Sequence, residues 1–116
     1  MFIKYYNYQK NMNTRKNKMK PDIEVIFEFC NTNAKLCNGY RPSHLIKKNY
    51  LTTGVHHYKS ECSSKSVKIL GTITFISPED YPHTLWLGKR IQMYEGSICI
   101  GYAEVTKILN PILLKY

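Results

Sequence analysis

The sequence has few of the features that mark catalytic or membrane proteins. No stretch approaches the roughly 18 consecutive apolar residues of a spanning helix, so no membrane association is expected. The opening residues, MFIKYYNYQKNMNTRKNKMK, lack the apolar centre of a secretory signal, which makes the cytoplasm the expected compartment. No GxxxxGK[ST] loop occurs, so nothing cradles a nucleotide's phosphates and no GTPase activity is expected. The four cysteines, at 30, 37, 62 and 99, include no C-x2-C pair. In a reducing compartment they read as buried or half-buried free thiols, with no metal site and no cofactor. Helical periodicity over a useful length is missing, and so are internal repeats.

Acidic residues are scarce. Lys and Arg number 17 against eight Asp and Glu, for a net charge of +9. The surplus is uneven, because residues 1–20 hold six basic side chains and no acid, leaving eleven against eight in the rest. Such a surplus points to a polyanionic partner, although Lys-, Asn-, Ile- and Tyr-rich composition is also what an A/T-biased genome encodes. At 116 residues the chain fits one domain with a real core. Residues 1–21 read as a flexible basic arm ending at Pro21, the alternative being a true start at Met12 or Met19. Residues 22–112 form the domain and 113–116 a C-terminal tail.

From Asp22 the pattern is that of β-structure. DIEVIFEFC puts Ile23, Val25, Phe27 and Phe29 on one face and Glu24, Ile26, Glu28 and Cys30 on the other. Asn38-Gly39 is a turn dipeptide. Strands are expected near His44–Ile46, at Tyr50–Tyr58 and at Val67–Ile76, where Gly71 marks a bulge or a close approach. SPEDYPHT holds two prolines and is no central strand. Leu85 to Leu87 lead to a turn at Gly88-Lys89. A short strand Ile91–Tyr94, a turn at Glu95-Gly96 and a long strand Ser97–Leu109 follow, and Pro111 ends the regular structure. The expected fold is all-β, a single small antiparallel β-barrel of about six strands. Closure is favoured because the last strand is too long and apolar for an open edge.

Four places, read in order, give this pattern a family. An opening strand DIEVIFEF is followed by GYRP at 39–42 and YLTTGV at 50–55, then by GTITF at 71–75 ahead of Pro78-Glu79. Last comes Glu95-Gly96 with ICIGYAEVTKIL. The order resembles the C-terminal β-barrel, the third domain, of translation elongation factor Tu. In that family GYRP precedes an aromatic–x–T-T–x–V strand, a G-T-I–x–L–P-E segment and a closing strand after E-G-G-R. The chain departs from it in a longer connection at LIKKN, a shorter stretch between Gly88 and Glu95, and Ser97-Ile98 in place of Gly-Arg. The G domain is absent.

The resemblance implies a binding role, since the family uses this domain to contact tRNA and partner proteins. Carried over position by position, it singles out Arg41, the pair Thr52 and Thr53, and the turn Glu95-Gly96, with Lys47 and Lys48 in the longer connection. An arginine held by a following proline makes a preorganised phosphate fork, and hydroxyls suit ribose and phosphate. Each has a plainer reading. Arg41 can pair with a glutamate inside the domain, Thr-Thr can serve the strand alone, Glu95-Gly96 can be only a hairpin turn, and Lys47-Lys48 a solvated loop tip. Tyr40, Tyr50 and Tyr58 can stack on bases or fill the barrel.

Two functions stay open on these residues. One is a non-catalytic module binding structured, tRNA-like RNA. The other is a protein-interaction module or small inhibitor or immunity-type protein, with Trp86 as an exposed anchor. An enzyme would need a thiol and an imidazole in reach, for which Cys62 beside His56 or His57 is the local candidate. His56 and His57 cannot share a site, because neighbours in a strand face opposite ways.

Overall fold

Alternation of apolar and polar residues closes this chain into a barrel around its own side chains. The structure, a computed structural model, describes residues 20–30, 36–59 and 68–116. The six strands are β1 (Ile23–Phe29), β2 (Ser43–Lys47), β3 (Tyr50–Tyr58), β4 (Ile69–Phe75), β5 (Arg90–Glu95) and β6 (Ile98–Ile108). They form a closed antiparallel barrel in the order β1-β4-β3-β2-β5-β6, with β6 returning to β1. The expected all-β barrel is therefore the observed fold, and the strand limits fall within two residues of those read from the sequence. The arm assigned to residues 1–21 lies, up to residue 19, outside the described residues.

β1 shows why the barrel forms. Ile23, Val25, Phe27 and Phe29 are buried, while Glu24 and Ile26 are half-buried and Glu28 is exposed on the outer side. β4 pairs with one edge of β1 and the long β6 with the other. The β6 ladder slips at Thr106, whose hydroxyl donates to the Glu24 carbonyl at 3.1 Å, a bulge of the kind that bends a strand round a barrel corner. Gly71 is the close approach expected of it. A Cβ there would lie 2.2 Å from the His57 carbonyl oxygen and 2.8 Å from the Phe27 ring.

The two barrel ends are closed differently. Near one end, Phe27, Phe29, His56 and Tyr58 pack ring on ring at 4.4 to 6.3 Å between centroids. The other end is plugged by residues 76–89 and 109–116. Tyr81, Leu85 and Leu113 from these segments are fully buried. Tyr81 packs against Phe75 and Tyr50 and accepts a hydrogen bond from the Thr52 hydroxyl at 3.3 Å. Leu85 forms a single parallel bridge with Leu114, so Leu85 to Leu87 make no strand of their own. Residues 113–116, read as a tail, are bonded into this plug: Leu85 N–H donates to the Leu113 carbonyl and Lys115 N–H to the Leu85 carbonyl. Regular structure continues past Pro111 as a 3-10 turn, Pro111–Leu113.

Asp22 joins the strands at this end. Its carboxylate accepts from Phe75 N–H at 2.7 Å and from the Asn110 amide at 2.8 Å, and its carbonyl accepts from the N–H groups of Leu109 and Asn110. Burial raises the Asp22 pKa, partly offset by these bonds.

Two of the three described cysteines depart from the expected burial, and the third meets it. Cys30 and Cys37 are exposed and Cys99 is half-buried, while Cys62 lies outside the described residues. Cys30 falls on the outward beat of the β1 alternation, just past the strand, and Cys37 lies in the polar connection.

Candidate functional site

One seam of the barrel has fewer register pairs than the others. β2 and β5 share only two register pairs, Ser43 with Tyr94 and His44 with Met93. Beyond them the strands part toward the plugged end. Lys89 reaches into the gap and its ammonium donates to the Ile46 carbonyl and, at 2.9 Å, to the Thr84 carbonyl. Burial, and then the nearby Lys115, lower the Lys89 pKa.

Around this latch lies a cleft of about 370 Å³, lined by Lys47, Lys48, His83, Thr84, Trp86, Lys89 and Lys115. Lys47 and Lys48 reach it from the β2–β3 turn, made tight by Asn49 at φ 62°. The other residues come from the plug. Trp86, the one tryptophan of the chain, is 43% exposed. Its ring carries the Lys89 ammonium at 4.5 Å and the Lys115 ammonium at 5.1 Å from the centroid, and Lys47 stands 5.4 Å from the Tyr50 ring. The His83 Nδ1–H donates to the Leu114 carbonyl at 2.9 Å, and the ring packs tilted against Tyr116, 4.6 Å between centroids. Among the described residues none that lines it is acidic; Glu79 and Asp80, on the Pro78–Asp80 turn, stand outside it.

The structure divides the residues singled out from the sequence. Lys47 and Lys48 join the cleft. Arg41 does not, because residues 39–42 run along the far half of β3, where Tyr40 and Pro42 carbonyls accept from the N–H groups of His56 and Gly54. Between Val55 and Tyr50, five residues of strand span roughly 17 Å. Arg41 is exposed and lines a depression on the outer wall with Val55, His57, Thr72 and Thr74. The internal glutamate pairing considered for it is not formed among the described residues: Glu95 accepts instead from the Tyr40 hydroxyl. Thr52 turns inward onto Tyr81, leaving only Thr53 of that pair exposed. Glu95-Gly96 forms the β5–β6 hairpin turn, with Gly96 at φ 60°, at the end away from the cleft. Tyr58 is a barrel aromatic, and Tyr40 and Tyr50 pack half-buried against the core.

Sequence reasoning missed a buried polar chain. His44 Nε2 lies 2.8 Å from His56 Nε2, and His56 Nδ1 lies 2.7 Å from the Tyr58 hydroxyl. His44 Nδ1 faces the Thr52 carbonyl at 3.3 Å. A carbonyl only accepts, so His44 carries its proton on Nδ1 and receives on Nε2. His56 is then protonated on Nε2 and takes the Tyr58 O–H on Nδ1. Gly54 leaves room for this chain, since a Cβ there would meet His44 Cε1 at 2.9 Å. Both imidazoles are fully buried, and burial drives their pKa down, that of His44 to about 4. Both nitrogens of His56 are engaged in this chain, and Cys62, considered beside it, lies outside the described residues. The exposed neighbour of His56, His57, faces the outer wall. Alternation could reveal which way His56 points, but not that His44 would meet it.

Among the described residues no cluster of three or more His, Cys, Asp or Glu could hold a metal, and no helix is long and apolar enough to cross a membrane. No protein-family model matches the chain, and no curated protein matches it.

Proposed function

We propose that the chain is a non-catalytic RNA-binding module that meets its ligand through the lysine-rich end of the barrel. The observation that carries this reading is the convergence of Lys47, Lys48, Lys89 and Lys115 on one cleft that no carboxylate lines among the described residues. Like charges held together repel, and a phosphate backbone supplies the missing opposite charge while releasing its own counterions. The aromatic ring among them suits nucleic acid better than a simple anion. The basic surplus of residues 1–20 adds attraction. The resemblance to the third domain of elongation factor Tu supports the same ligand class and narrows it to structured, tRNA-like RNA in the cytoplasm.

Filter binding of labelled tRNA across about 50 to 200 mM salt tests this, with log affinity expected to fall linearly with log salt. Retention that is absent, or indifferent to salt, removes RNA from the account. A protein partner is the second reading. It is favoured by the exposed apolar side chains of Leu87, Ile112, Leu114 and Tyr116 at the same end. Affinity purification with and without nuclease separates the two. A single protein recovered after nuclease treatment, and still recovered when residues 1–20 are deleted, selects the protein partner.

A further inference from the structure

The make-up of the Trp86 cleft bears on which kind of RNA it would take, and this inference rests on the RNA-binding reading above. A surface that reads only the phosphates of a duplex needs cations, with no aromatic part. Here the cations surround an indole set inside a cleft, with Lys89 held on the ring from within by its two carbonyl bonds. We infer that the Trp86 cleft takes an unpaired nucleotide, its base stacked on the indole and its flanking phosphates held by Lys47, Lys48 and Lys115.

The roles differ among the lysines. Lys89 is committed to the Ile46 and Thr84 carbonyls and is half-buried, so it keeps the indole in place and lends it charge. Lys115 is exposed and sits 5.1 Å from the ring centroid. It is free to swing to a phosphate while a base takes its place on the ring. Lys47 ends β2 and Lys48 opens the turn at the cleft's rim, where ammonium groups follow a backbone with little geometric demand. His83 holds its ring by Nδ1–H to the Leu114 carbonyl, leaving Nε2 for a ribose hydroxyl or base edge. Bases inside a duplex are stacked and paired, so they offer no free face to the exposed indole.

The single tryptophan makes the test direct. Trp86 emission is followed while the full chain is titrated with an oligouridylate of about ten nucleotides, a length within the span of such platforms. The same strand annealed to oligoadenylate, and inorganic pyrophosphate, are titrated in parallel. Saturable quenching is expected with the single strand, at roughly tenfold lower concentration than with either comparison ligand, the share that one stacked base supplies. Trp86→Ala should weaken filter retention of the single strand roughly tenfold, and Trp86→Phe should restore most of it, with circular dichroism checking that both fold. Equal quenching by duplex or pyrophosphate overturns the stacking role, as does a folded Trp86→Ala variant that binds like the parent. Salt-dependent retention without any change in Trp86 emission also overturns it, while leaving RNA binding itself intact. Loss of retention in every arm, by contrast, removes the broader function.

Discussion

His44 and His56 show what a residue's surroundings add to its type. Each is an ordinary imidazole in the sequence, but inside the barrel both stay neutral because burial disfavours the charged form. Their protons are placed by one carbonyl, that of Thr52. The consequence for stability has a definite sign. The folded pKa of His44, about 4, lies below the unfolded 6.5, so the unfolded chain binds the proton more readily in that window. The stabilisation is complete above pH 6.5 and is lost as pH falls toward 4. His44 alone contributes about 3 kcal/mol at most across those units. Asp22 works the other way, its raised pKa favouring the fold as pH falls through its titration. Urea midpoints measured from pH 7 to pH 5 should therefore decline steadily; a flat profile would show that the imidazoles are not buried as described. The sequence disclosed only that His56 and His57 face apart. The partner, twelve residues away, depends on register around the Lys48-Asn49 turn, which no single residue announces.

At the scale of elements, the sequence was legible where two faces differ. β1 and β3 alternate cleanly, and their limits follow from that pattern. What it could not show was how far β2 and β5 would pair, because hydrogen bonding across a seam depends on barrel curvature rather than on either strand's own residues. Lys89 looked like part of a turn with Gly88, yet its side chain satisfies the Ile46 carbonyl, which the parted strands leave over, and the Thr84 carbonyl of the plug. Replacing it by Met keeps the stem and removes those bonds, which should cost about 1–3 kcal/mol. Lys115→Met, on an exposed side chain near the same indole, should stay within about 0.5 kcal/mol. Urea denaturation of both variants gives the comparison. If Lys89→Met is as stable as Lys115→Met, the seam does not need its latch.

On the scale of the molecule, barrel closure brings four lysines distant in sequence onto one cleft. The residues chosen from the resemblance separate when the barrel closes, because β2 runs from Arg41's half to Lys47's, and Glu95-Gly96 caps the end opposite the cleft. The cleft itself was half legible. Lys47, Lys48 and Trp86 each drew notice, but nothing in one dimension joins the β2–β3 turn to a plug made of residues 76–89 and 109–116. That division yields a prediction which the resemblance alone would make differently. If phosphate contacts follow the Trp86 cleft, Lys47→Ala with Lys48→Ala should weaken tRNA retention and reduce the salt slope by about 1.5, two contacts at the single-strand rate. Arg41→Ala should leave both nearly unchanged. If phosphate contacts follow the family positions, the outcome reverses, since Arg41 would carry the fork and the lysines only a solvated tip. Both sites are exposed, so neither variant should move stability by more than about 0.5 kcal/mol, and the change in salt slope reports which end of the barrel meets the RNA.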